Sequence, residues 1–265
     1  MNTQNEEFKF IIIGDVVGKY GRRFLLEHLP KIKEKLKPDL VIANGENSAG
    51  GLGIIQKTAD ELFKSGVDII TTGNHVWDKK EALDLLDKEE RIIRPLNFYK
   101  GVPGRGFVYF RFQGQSVIIV NLQGQVFMEP VVNNPFIAID EFLKTREEKI
   151  IIVDFHAEAT AEKQSLGFFL DGRVSAVLGT HTHVQTADLR IMDKGTAYQS
   201  DIGMTGSMDS IIGMKREPII KKFLTGINQR FEVEKKNIMM NYSEIVVNSN
   251  TGRAISVKYH TDFED

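Results

Sequence analysis

Short apolar, β-branched runs recur along the chain, separated by segments whose apolar residues follow a helical spacing. FKFIIIGD is followed by RFLLEHLPKIKEKL, DLVIANGEN by QKTADELFKSG, and DIITTGNH by KKEALDLLDKEE. Strands alternating with helices in this way predict a mostly parallel sheet. FVYFRFQGQSVIIVNLQG reads differently, as two strands joined at Gly114 into an antiparallel hairpin, so the sheet is predicted to be mixed. A helix over 136–146, a strand at KIIIVDFHAE, a helix over 160–170 and a strand at SAVLGTHTH resume the alternation. A helix over 216–227 and strands over 243–247 and 254–259 complete the pattern. No repeat, low-complexity tract or linker-like composition interrupts it, and residues 1–265 are read as one domain. NSAGGLG and GMTGSMDSIIG are read as loops from their composition, and neither has the spacing of a phosphate-binding P-loop.

The polar residues are distributed unevenly over this pattern. In open α/β sheets ligands bind beyond the carboxyl ends of the strands, and here those ends are unusually polar. They read Gly14-Asp15, Asn44-Gly45-Glu46-Asn47, Gly73-Asn74-His75, Asp154-Phe155-His156 and Thr180-His181-Thr182-His183. Of 6 histidines, His75, His156, His181 and His183 fall at such ends, whereas His28 and His260 do not and are assigned no role. Taken singly, each end has a structural explanation: Asp15 or Asn74 could cap a helix, and His156 could be a core histidine. Together they would gather carboxylates, amides and imidazoles on one rim at a large desolvation cost unless a cation were present.

Composition narrows the chemistry. The chain has 265 residues, 42% of them hydrophobic, which is enough for a sizeable core. Its 34 basic and 36 acidic residues give a formal charge of -2, so bulk charge names no nucleic-acid or membrane partner. With no cysteine, disulfides, thiolate nucleophiles and sulfur-ligated metals are excluded. The opening MNTQNEEFKFIIIGD carries an apolar run far shorter than a membrane span of about 20 residues, so a cytoplasmic protein without membrane association is expected. The candidate ligands outnumber the four of a tetrahedral zinc, which favours two metals about 3.5–4 Å apart with one carboxylate bridging them. Strand alternation would turn His181 and His183 to the same side and Thr182 away, giving each metal one histidine.

The order Gly14-Asp15, Gly45-Glu46-Asn47, Gly73-Asn74-His75, His156 and His181-Thr182-His183 resembles the calcineurin-like metallophosphoesterase superfamily, whose blocks run Asp-x-His, Gly-Asp, Gly-Asn-His, His and Gly-His-x-His. Two departures, Val17 where a histidine is expected and Glu46-Asn47 in place of the bridging aspartate, are similar to the bacterial YmdB-type branch. So are Gly14 to Gly18, Asn44 to Asn47 and Asp201 to Gly206. The resemblance implies a four-layer αββα sandwich with mixed β-sheets. It implies that Asp15, Glu46, Asn47 and His183 hold one metal and that Glu46, Asn74, His156 and His181 hold the other, with Glu46 bridging. Asn47 would stand in for the missing histidine, leaving His75 as general acid.

That branch looks like 2',3'-cyclic nucleotide phosphodiesterases with iron or manganese centres. Ligand type admits zinc as well, and divalent and trivalent ions alike. The expected reaction is attack on phosphorus by a water that two metals have made nucleophilic, with His75 protonating the leaving ribose oxygen. A phosphomonoesterase or nuclease with the same centre is the alternative, as is a regulatory protein that binds nucleotide or RNA with little turnover. The expected partner is a small phosphodiester, with RNA and a homo-oligomer left open.

Overall fold

The computed structural model describes residues 7–112 and 114–264. Strand β1 (Glu7–Ile13) sets the plan, because its residues alternate between two different cores. Phe8, Phe10 and Ile12 face one side, and Ile11 and Ile13 face the other. A strand buried on both faces has to be apolar nearly throughout, which is why the run is continuous rather than alternating. The chain continues through β2 (Asp15–Val16), α1 (Gly18–Leu36), β3 (Leu40–Asn44), α2 (Gln56–Ser65), β4 (Ile69–Thr71), α3 (Glu81–Lys88) and β5 (Ile92–Ile93). The hairpin β6 (Phe107–Phe112) and β7 (Gln115–Gln123) follows, then α4 (Pro135–Leu143), β8 (Ile150–His156), α5 (Thr160–Leu170) and β9 (Ala176–Thr180). The last elements are β10 (Arg190–Ile191), β11 (Ala197–Gln199), β12 (Met204–Ser207), α6 (Arg216–Thr225), β13 (Ile238–Asn248) and β14 (Ala254–Phe263).

Two mixed sheets result. The first runs β2-β12-β13-β1-β3-β4-β5, with β14 also paired to β13, and the second runs β10-β11-β9-β8-β7-β6. Within them, β1, β3, β4 and β5 are parallel neighbours, as are β7, β8, β9 and β11. Phe10, Ile12, Leu40 and Ile42 of the first sheet pack against Val117, Ile119, Ile150 and Ile152 of the second. On its outer face the first sheet meets Phe24, Leu25 and Leu29 of α1, Leu62 of α2 and Leu85 of α3. The second sheet's outer face meets Ile139 and Phe142 of α4 and Leu166 and Leu170 of α5. These are the four layers of the expected αββα sandwich. No helix among the described residues is long and apolar enough to cross a membrane.

Three sequence expectations need correction. β9 stops at Thr180, so His181-Thr182-His183 is not strand, and its side chains are not aimed by strand alternation. His181 has φ 101° and His183 φ 64°, left-handed conformations that are uncommon for residues other than glycine. GMTGSMDSIIG is not all loop, because Met204–Ser207 forms the buried strand β12 between β2 and β13. Its small, polar residues are held by pairing with strands distant in sequence, a cause that local composition does not carry. The final hairpin is longer than predicted, with β13 and β14 pairing from Met239↔Phe263 to Val247↔Ala254 across a bulge.

Candidate metal centre

The carboxyl ends of β1, β3, β4, β8 and β9 converge, and most of the polar residues identified in the sequence meet there. Asp15, Glu46, Asn47, His156 and His183 are buried, whereas Asn74 and His181 are partly exposed. His156 is central to one group: its Nε2 lies 2.8 Å from Glu46 Oε1, 3.0 Å from Asn74 Oδ1 and 3.1 Å from His181 Nδ1. The ligand atoms that Glu46, His156 and His181 offer fall within 4.8 Å of one another, close enough to share a cation. Beside it, His183 Nε2 is 3.1 Å from Asn47 Nδ2 and 3.7 Å from Asp15 Oδ1. Asn47 Nδ2 reaches both Asp15 at 3.3 Å and Glu46 at 3.4 Å, so Glu46 stands between the two groups. For Asn47 to ligate a metal its amide must turn to present the oxygen instead.

Each of these three imidazoles has one nitrogen occupied from outside the cluster. Thr180 Oγ1 donates its only proton to Asp154 Oδ1 at 2.7 Å, so it must accept from His156 Nδ1 at 2.9 Å. His183 Nδ1 donates to the Ile212 carbonyl at 2.9 Å. His181 Nε2 lies 3.2 Å from the Glu158 carboxylate. The opposite nitrogen of His156 and of His183 faces the carboxylates and that of His181 faces His156, so each ring would present its inner nitrogen to a bound cation, the arrangement by which outer partners fix the tautomer of metal-binding histidines.

The charges in the cluster are strongly interdependent. Burial would raise the Asp15 carboxyl, but His183 and His156, with the His181 amide, hold it well below the usual carboxylate range. Burial likewise opposes protonation of His156, yet the charges of Glu46, Asp15 and Asp154 raise it to about 9. Burial and the adjacent His156 charge push His181 down to about 3. In the absence of a cation, the cluster thus offsets its buried carboxylates by retaining a proton on His156. Asp154, raised to about 6 by burial, lies underneath and accepts from Thr71, Thr180 and Asn44, which ties strands of both sheets together.

Backbone placement is equally constrained. A Cβ at Gly73 would collide with both His156 and Glu46, so only glycine allows the two to approach. The positive-φ His181 and His183 are held by several bonds: the His181 amide donates to Asp15 Oδ2 at 3.0 Å and the Thr182 amide to Asp201 Oδ2 at 3.0 Å. Lys163, buried on α5, donates to Asp201 at 2.7 Å and to the Thr180 carbonyl at 2.9 Å.

His75 occupies a different position. Its amide donates to Glu46 Oε2 at 3.1 Å, but its ring, about one-third exposed, pairs through Nδ1 with Asp78 at 2.9 Å. Asp78, Lys163 and Glu158 were not singled out in the sequence, and Asp154, Thr180 and Asp201, although they lie in the stretches named there, were given no role. Asp78 could have been found from the His-x-x-Asp spacing of a single helical turn. The others act across long separations with no local signature.

A four-layer sandwich with buried carboxylates and imidazoles at the strand ends is the fold and site of a metallophosphoesterase. Within that class the chain belongs to the YmdB-like protein family, which it matches over residues 11–259. It is 46% identical over 252 residues to a Bacillus subtilis protein named 2',3'-cyclic-nucleotide 2'-phosphodiesterase, covering 94% of this chain and 95% of the relative. The crystal structure of a phosphatase from Mycoplasma pneumoniae superposes with a TM-score of 0.95 at 38% identity, covering 99% of this chain and 95% of the other. A hypothetical protein from Thermus thermophilus superposes at 0.93 with 42% identity, over 97% and 100%.

Proposed function

We propose that this chain is a dimetal phosphodiesterase that opens nucleoside 2',3'-cyclic phosphates to monophosphates. The observation that carries the reading is the orientation of the three imidazoles: His156, His181 and His183 each bond outward through one nitrogen and turn the other into the cluster, His156 to Glu46, His183 to Asp15 and His181 to His156. The donors are nitrogen and oxygen only, a set that suits iron or manganese and also accepts zinc. Asp15, Asn47 and His183 would hold one ion, Asn74, His156 and His181 the other, and Glu46 both. Bound metals supply activation of water and neutralisation of the phosphate charge.

His75 stands at the rim as the proton donor to the leaving ribose oxygen. Asp78 Oδ2 at its Nδ1 fixes the ring and leaves Nε2 free to face the substrate. The Bacillus relative's name matches this substrate class.

The test is metal analysis together with turnover of all four 2',3'-cyclic nucleotides. Up to two metals per chain are expected, fewer in Glu46→Gln and His181→Ala, with a nucleoside monophosphate and no inorganic phosphate as product. His75→Ala should keep its metals and lose roughly 10²–10⁴-fold in kcat, and lose much less on a p-nitrophenyl diester, whose leaving group needs little protonation. Release of inorganic phosphate would make the protein a phosphomonoesterase, and absence of metal after growth in replete medium would overturn the dimetal reading.

A further inference from the structure

A cavity of about 630 Å³, lined by Leu96, Phe98, Ile137 and Phe142 among others, shares no residue with the metal cluster. A second cavity, of about 370 Å³, does, because His183 forms part of its wall. Among the described residues its remaining wall includes Met204, Met208 and Met239 with Ile212 and Phe263, and contains no Lys, Arg, Asp or Glu. We propose that this cavity is the nucleobase subsite, and that it accepts all four bases by contact with their faces rather than by reading their edges. The inference rests on the phosphodiesterase reading above and adds where the substrate's uncharged end lies.

Three observations support it. Among the described residues the lining has no ionisable side chain besides His183, so it suits a neutral group joined to a phosphate at the metals and gives a second phosphate little to pair with. Its amides are anchored within the protein: Gln185 donates to the His260 carbonyl and accepts from Thr261, while Asn241 donates to Thr261 and accepts from the Met204 amide. Ser210 is likewise engaged, donating to the Ser207 carbonyl and accepting from the Gly213 amide, whereas specificity of the strong kind requires a polar group that goes unpaired with the wrong ligand. Methionine side chains adapt their shape and pack well against aromatic rings, which suits a wall that must receive purines and pyrimidines alike.

The third observation is Ile212. It has φ 48°, a strained value for a β-branched residue. Its carbonyl accepts from His183 Nδ1 while its side chain, half exposed, lines the cavity. One residue thus both fixes the metal-side histidine and forms the wall of the proposed base site. The segment that composition marks as a loop is thus bonded directly to the metal cluster.

The test uses zinc-loaded protein labelled with [methyl-13C]methionine. Adenosine 3'-monophosphate should shift the methyl signals of Met204, Met208 and Met239 through the ring current of the bound base, and leave Met128 and Met192 in place. Uridine 3'-monophosphate should shift the same three. In kinetics the four cyclic nucleotides should differ by less than about tenfold in kcat/KM, and Met208→Ala or Phe263→Ala should lower all four about tenfold relative to bis(p-nitrophenyl) phosphate. Hydrolysis of cyclic nucleotides with no shift at the three methionines, or a preference above about 100-fold for one base, overturns the subsite and leaves the phosphodiesterase reading standing. Shifts at the three methionines without hydrolysis of any diester keep the subsite and overturn that reading.

Discussion

His156 carries the balance of charge in the cluster, and its proton makes that balance measurable. The folded, metal-free protein holds this proton up to about 9, above the ordinary imidazole value of about 6.5. Its contribution to stability is therefore complete below about pH 6.5 and is lost as pH rises through about 9. His181 behaves with the opposite sign: with its folded value near 3, the unfolded chain takes up that proton first, and stability declines as pH falls below about 6.5. The melting temperature of chelator-stripped protein should accordingly fall between pH 6.5 and 9. Metal-loaded protein should show a flatter alkaline limb, because the metal replaces the proton. A flat alkaline limb in the stripped protein, or the same slope in His156→Gln, would contradict this assignment. Asp154 never touches the cluster centre, yet through Thr180 it dictates which nitrogen of His156 turns inward. Asp154→Ala should weaken metal affinity about 10- to 100-fold in competition with a chromophoric chelator.

Among the elements, the turn after β9 shows how strain is sustained. Two histidines in left-handed conformations cost free energy that only the surrounding bonds can offset. The buried Lys163–Asp201 pair provides them, with Lys163 on the Thr180 carbonyl and Asp201 on the Thr182 amide. Removing one member of a buried pair leaves the other charged and uncompensated. Lys163→Met should therefore cost about 3–5 kcal/mol in urea denaturation and loosen metal binding at His181 and His183 together. Replacing both members with apolar residues should recover much of the stability but not the metal affinity, because the Thr182 amide would still lack its acceptor. If Lys163→Met binds metal as tightly as the parent, the turn does not depend on this clamp.

At the scale of the molecule, the two sheets share one core, and the centre sits where their strand ends meet. Ile152 belongs to that shared core and lies on β8 four residues before His156. Ile152→Ala should cost about 2–5 kcal/mol by cavity formation, yet fully folded samples should retain the parent metal stoichiometry, as elemental analysis of the purified variant would show. The order of strands and helices, the hairpin around Gly114 and the polar strand ends could all be read from the chain, because periodicity and composition at an element's end are local properties. The residues Asp15, Glu46, Asn47, Asn74, His156, His181 and His183 were legible as a set for the same reason: each stands where an apolar run stops. The association of two sheets was legible only through the family resemblance and not from periodicity, while the place of β12 between β2 and β13, the aim of the two turn histidines and the pairings of Asp154, Thr180, Lys163 and Asp201 were decided by tertiary structure alone. Lys163 meets Asp201 across 38 residues and Asn44 meets Asp154 across 110. Contacts of that span depend on how whole layers pack, which no window of sequence contains.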